Sequence, residues 1–259
     1  FFYNTSMSWA SRRRTTYLLF IFGGLFVALA VAAYALFRPV PSCENGARDG
    51  NETGIDCGGS CRAICTEDAI PPIVRWSRLF KVTPGVYSAV AYVENTNQNA
   101  GARFVPYSFR FFDEKGVLVA ERKGTAFLSP GGLSPIFESN IETGQRVPAR
   151  TVFSFAEEPR WERAASSVGL LTVKDKILSF DGPLPRVSAA LQNTTIGSFS
   201  NIQVVAVAFD ADQNAVGASA TLVPRIEKNG TADIVFTWPE PFPSKAVQID
   251  IIPRIPLRD

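Results

Sequence analysis

The chain has 259 residues, 46% of them apolar and 19% charged, with 20 phenylalanines, so it is long enough for two domains and apolar enough to bury their cores. A formal net charge of only +2, with much of the positive charge gathered near the N-terminus, excludes a nucleic-acid surface. The absence of histidine excludes Ser-His and Cys-His nucleophilic pairs.

In chain order, the first element is an uncharged apolar run from Tyr17 to Phe37. At about 1.5 Å of rise per residue it matches a bilayer core of about 30 Å. We assign residues 15–38 to a transmembrane helix and 1–14 to a cytoplasmic tail. Arg12, Arg13 and Arg14 precede the run and only Arg38 closely follows it, so the positive-inside bias places all later residues outside the cytoplasm. Tyr17 and Tyr34 suit headgroup depth, and Gly23-Gly24 suit either a close helix contact or the ordinary glycine content of a membrane helix. The run exceeds the ~7–15 residues of a signal-peptide core, and Val40-Pro41-Ser42-Cys43 is only a loose lipoprotein box. Met7 is the single methionine, so the chain starts either inside a longer protein or ahead of a Met7-Ser8-Trp9 start.

Residues 39–70 hold all the cysteines: Cys43, Cys57, Cys61 and Cys65. Their spacing is poor for zinc, which favours C-x2-C pairs or histidine. Outside the cytoplasm, four close cysteines predict two disulfides, with three connectivities open. Between them, Asp49, Asn51, Thr53 and Asp56 alternate with glycines, a pattern that suits either tight turns or a hard cation such as calcium. Cys43 to Cys61 resembles the surface-protein motif C-x-N-G-x-x-D-G-x-E-T-x-x-D-C-G-G-x-C at every named position, and the resemblance implies an extracytoplasmic, disulfide-stapled segment.

After Pro71-Pro72 the chain reads as mainly β, in short Val/Phe/Ile runs broken by Asn, Gly, Pro and Asp. It repeats: Tyr92-Val93-Glu94-Asn95-Thr96 and the strand ending at Asp113 answer Ala190-Leu191-Gln192-Asn193-Thr194 and the strand ending at Asp210. Alternation puts Tyr107, Phe109 and Phe111 on one face and Ser108, Arg110 and Phe112 on the other. Since Phe112 answers Phe209, burial of both rings is expected. Asn95, Asn193, Asp113 and Asp210 are read as turn formers. Phe109-Arg110-Phe111-Phe112-Asp113, and more faintly Ala206-Val207-Ala208-Phe209-Asp210, resemble the FxLYD domain of bacterial envelope and secreted proteins. That resemblance implies two tandem antiparallel immunoglobulin-like β-sandwiches, placed at 71–182 and 183–259, with Asp181-Gly182-Pro183-Leu184-Pro185 as a stiff linker.

Candidate sites are few. The acid pairs Glu157-Glu158 and Asp113-Glu114 are read as solvated turns rather than a glycosidase pair. Sequons at Asn51, Asn193 and Asn229 are too common by chance to rely on. Trp161, Trp238 and Phe242 lie beside prolines, where they either contact a partner or plug the ends of the sandwiches. The expected protein is a non-catalytic, single-pass membrane protein of the cell envelope, holding or binding other envelope proteins. A calcium-stabilised surface adhesion or ligand-binding protein is the alternative.

Overall fold

The computed structural model describes residues 9–37 and 40–257; Met7 and Arg38 lie outside the described residues. Helix α1 (Trp9–Phe37) runs 29 residues with none buried, and by length and composition it is sufficient to cross a membrane. Thr15 and Thr16 close their hydroxyls onto the carbonyls of Ser11 and Arg12, at 3.0 and 2.9 Å, so both hydroxyls are satisfied within the helix where the arginine-bearing turn joins the apolar run.

The rest is mainly β. The first unit comprises β1 (Ile73–Thr83), β2 (Val86–Asn95), β3 (Ala100–Phe112), β4 (Leu118–Leu128), β5 (Gly132–Glu142), β6 (Arg150–Phe155) and the short β7 (Glu162–Arg163). The second comprises β8 (Leu171–Asp181), β9 (Leu184–Asn193), β10 (Phe199–Phe209), β11 (Ala215–Ile226), β12 (Thr231–Thr237) and β13 (Gln248–Arg254). Sheets β1-β2-β5 and β4-β3-β6 form the first sandwich; β8-β9-β12 and β11-β10-β13 repeat that strand order in the second. Every pairing is antiparallel.

The repeat extends to single side chains. Asn95 and Asn193 are buried at 1% and 0% exposure. Asn95 donates to the carbonyls of Ala100 and Ser129 at 2.7 and 3.0 Å, and Asn193 donates to those of Gly197 and Glu227 at 2.7 and 2.8 Å. Each therefore ties its own strand end to two loops that would otherwise bury unsatisfied carbonyls. Asp113 and Asp210 each accept two backbone N–H groups of the hairpin they open. The Asn214 amide, with the Ser244 hydroxyl and the Asp212 amide, holds the Asp210 carboxyl below the ordinary carboxylate range.

Two expectations need correction. Asp181 pairs with Leu184, and Gly182 at φ 58° makes the turn of the β8–β9 hairpin, so 181–185 is no linker. The crossing lies at residues 164–170, pinned where the Ala164 N–H donates to Asn99 O at 3.0 Å and Ser166 Oγ donates to Pro130 O at 2.9 Å. Phe112 is only partly buried, with the Arg150 guanidinium 5.1 Å above its ring, whereas Phe209 is buried at 7% exposure.

The reason is a third core. Val90 and Tyr92 on the outer face of β2 pack against Val205, Val207 and Phe209 on the outer face of β10, with Trp76, Phe80 and Phe137 around them. Trp76 stacks on Tyr92 at 4.3 Å, and Phe209 meets both edge-on at 6.1 and 6.2 Å. Between β3 and β10 the shift is 209 − 112 = 97, so Ser108, Arg110 and Phe112 of the uncovered first sheet answer Val205, Val207 and Phe209 of the covered second sheet. Transplanting the residue of the first copy, Val207→Arg, buries an unpaired guanidinium at a cost on the order of 3–5 kcal/mol. The mirror change Arg110→Val on the exposed face stays within about 0.5 kcal/mol. Urea unfolding of the full chain in detergent reads both; equal shifts would mean that the sandwiches do not cover one another.

Candidate functional site: the cleft between the sandwiches

The cysteine segment pairs Cys43 with Cys61 and Cys57 with Cys65, resolving the three connectivities. Its oxygen side chains work as separate staples. Asp49 accepts the Ser42 N–H and the Asn45 amide at 3.2 and 2.7 Å. Asp56 accepts the Asn45 and Gly46 N–H groups at 2.9 and 2.8 Å. Asn51 accepts the Ser60 hydroxyl at 2.8 Å, and Thr53 lies 3.4 Å from the Cys65 sulfur. Glu52, which was not among the cation candidates, is the buried member, and its Oε2 accepts the N–H groups of Asp49 and Asp56 at 3.2 and 3.3 Å. Among the described residues, the one cluster of potential metal ligands is Cys43, Glu52 and Cys61, and its two sulfurs are joined to each other.

This segment is welded to the first sandwich. The Ile64 N–H donates to Trp161 O at 2.9 Å, the Arg163 N–H to Arg62 O at 2.8 Å, and the Arg163 guanidinium to the carbonyls of Cys61 and Gly59. Arg62 and Arg103 both pair with Glu162. Trp161, a candidate partner contact, has its ring 4% exposed within the first core, where Ile64 and Ala69 also pack. It plugs the sandwich end against the cysteine segment, which is why it cannot present a face to a partner. Asn193 is buried with its amide fully engaged, so its sequon has no room for a glycan.

Trp238 and Phe242 belong together. They meet edge-on at 5.1 Å on the strap that follows β12, and line a cleft of ≈ 670 Å³ between the sandwiches with Phe80, Phe137, Arg78 and Lys81. Trp238 is itself buried at 7% exposure, its Nε1 has no acceptor, and Phe242 is half-exposed. Both rings lie on Gly217 of β11. A Cβ there would come within 2.5 Å of Phe242 and 2.9 Å of Trp238 Nε1, so only glycine permits the contact. A lone glycine inside a strand was the one sequence signal for this close approach. Opposite the strap, Arg78 donates to Ala215 O at 3.0 Å, and Lys81 pairs with Glu240 at 3.0 Å across the cleft. That pair is half-exposed and contributes little to stability.

The acid pairs stay apart from the cleft. Glu157 and Glu158 border a smaller hollow of ≈ 340 Å³ beside Arg103, Arg160 and the exposed ring of Phe104, and Asp113 is occupied by its own turn.

No protein-family model and no curated protein matches the chain. Among solved structures, a transglutaminase of red sea bream is similar at 8% identity and a TM-score of 0.21, over 68% of this chain and 29% of that one. The chain thus spans under a third of that protein's length.

Because Asp49 and Asp56 already accept backbone N–H groups, melting of the full chain is expected to coincide with and without a calcium chelator. Reduction of the two disulfides is expected to lower it by several degrees, on the scale of 2–4 kcal/mol per bridge. A lower midpoint in chelator would instead place a cation in these loops.

Proposed function

We propose that this chain is a single-pass membrane protein whose extracytoplasmic body holds or docks other envelope proteins without catalysis, the cleft between its sandwiches being the docking surface. The observation that carries the reading is the third core beside a helix with no buried residue. A rigid two-sandwich body presents one fixed cleft, while the helix has apolar sides that require lipid. Arg12, Arg13 and Arg14 ahead of the helix favour the cytoplasmic side for the N-terminus. The chemistry of the cleft supports binding over reaction, since Phe80, Phe137 and Phe242 offer apolar area beside Arg78, Lys81 and Glu240, the composition of an interaction surface. The strand pattern keeps the FxLYD resemblance as the family reading for each unit.

A photo-cross-linking amino acid placed at Phe242, in the full chain in its native membrane, is expected to capture a discrete envelope protein, whereas the same probe at the exposed Phe104 captures none. Gly217→Val, which displaces both rings, is expected to reduce capture at least tenfold while the fold persists. Identical products from positions 242 and 104, or capture unaffected by Gly217→Val, would remove the cleft from the proposal. Protease added to spheroplasts is expected to digest the body and spare the N-terminal tail; the opposite pattern reverses the orientation.

A further inference from the structure

On the far side of the interface from the strap, Arg254 of β13 is buried at 7% exposure where the second sandwich meets β4 and β5 of the first. Its Nη1 donates to Gln203 Oε1 at 2.7 Å, its Nη2 donates to Phe127 O at 3.1 Å, and its guanidinium lies 4.5 Å over the Phe127 ring. Among the described residues no carboxylate pairs with it, and its Nε is buried without an acceptor. Five N–H donors thus meet two acceptors, both neutral. Removal from water pulls the guanidinium down to about 10, which leaves it charged at neutral pH. A buried cation without an anion is costly, and beside a cavity such a group is a candidate for binding one. Nor is the arginine a legacy of the repeat. The shift relating β6 to β13 is 248 − 150 = 98, and it sets Ala156 opposite Arg254.

Arg254, with the Phe127 residue on which its guanidinium lies, lines a cavity of ≈ 230 Å³ whose walls include Ser134 and Ser167 beside Leu133, Val168 and Ile252. We propose that this cavity is a binding site for a small monocarboxylate on a short apolar group, with Arg254 as its cation and the serine hydroxyls as further donors. One positive charge matches a monoanion better than a phosphate dianion, and the apolar walls suit a hydrocarbon stub rather than a second charged group. Two sources present this chemistry: a free short-chain acid, or the C-terminal carboxylate of a peptide ending in a small apolar residue.

Calorimetric titration of the full chain in detergent separates them, with butyrate, butyramide, inorganic phosphate, a tetrapeptide ending in valine, and its C-terminal amide. Butyrate or the free-acid peptide is expected to bind, the tighter of the two identifying the source, while butyramide, the peptide amide and phosphate bind at least tenfold more weakly. Arg254→Met is expected to abolish binding. Val168→Asp sets the chain's own carboxylate at the cavity rim, where it is expected to preserve the fold and compete out the added acid. Acid and amide binding alike, no binding by either acid, or butyrate binding undiminished in Val168→Asp would each overturn the site and leave Arg254 as an interface clamp alone.

Discussion

Val90 and Tyr92 on one sheet and Val205, Val207 and Phe209 on another exclude water from each other, and most of what distinguishes this molecule from two sandwiches in series depends on that contact. Sandwiches joined by a short crossing would ordinarily move relative to one another, because interdomain faces tend to be polar. Here the contact has the composition of an interior, with a cluster of Trp76, Tyr92 and Phe209 at its centre. Its rim is made by arginine donors reaching backbone carbonyls of the other unit: Arg78 to Ala215, Arg254 to Phe127, and Arg103 to Leu257. The rim bonds act across a water-poor seam, so the apolar centre and the polar edge reinforce one another.

The two units associate through non-equivalent sheets, the β2 face of one against the β10 face of the other. A contact of this kind is open-ended in principle, since each unit retains the face its neighbour used. Side chains distinguish the free faces from the covered ones. The free face of β3 carries Ser108 and Arg110 where its counterpart carries valines, and the free face of β9 carries Ser188 and Ala190 where β2 carries Val90 and Tyr92. The same topology occurs twice, and a few outward positions distinguish the two faces that meet from the two that stay free.

The cysteine segment obeys a different constraint. It is too short to bury a core, so disulfides and the buried Glu52 carboxylate order its turns, and β7 with Trp161 attaches it to the first sandwich. The result is a continuous body from Cys43 to Leu257, whose last described residues return to the first sandwich, where Ser129 and Arg103 hold the carbonyls of Ile255 and Leu257.

Local chemistry alone made several features legible. An uncharged run of sufficient length announces a helix that can cross a membrane, alternating Phe and Val announce strands, and Asp113 and Asp210 announce turns, because each depends on neighbours in sequence, whereas Asn95 and Asn193 announce their own turn but not the distant loop that each also holds. The internal repeat followed from the same signals. What the sequence could not decide was every matter set by distant residues meeting. The hairpin at Asp181–Leu184 resembled a linker because two prolines restrict the backbone equally well in either setting. Phe112 and Phe209 look equivalent in their strands, yet only one is covered, since burial of an outer face depends on which sheet a second unit selects. Trp161 and Trp238 were ambiguous for the same reason, and only the folded chain shows each ring buried in the core of its own sandwich, with Trp238 also lining the cleft over Gly217. The disulfide connectivity likewise required distances. Sequence by itself determined the elements, their periodicity and their duplication; tertiary packing decided which faces are surface, because exposure belongs to pairs of surfaces rather than to either one.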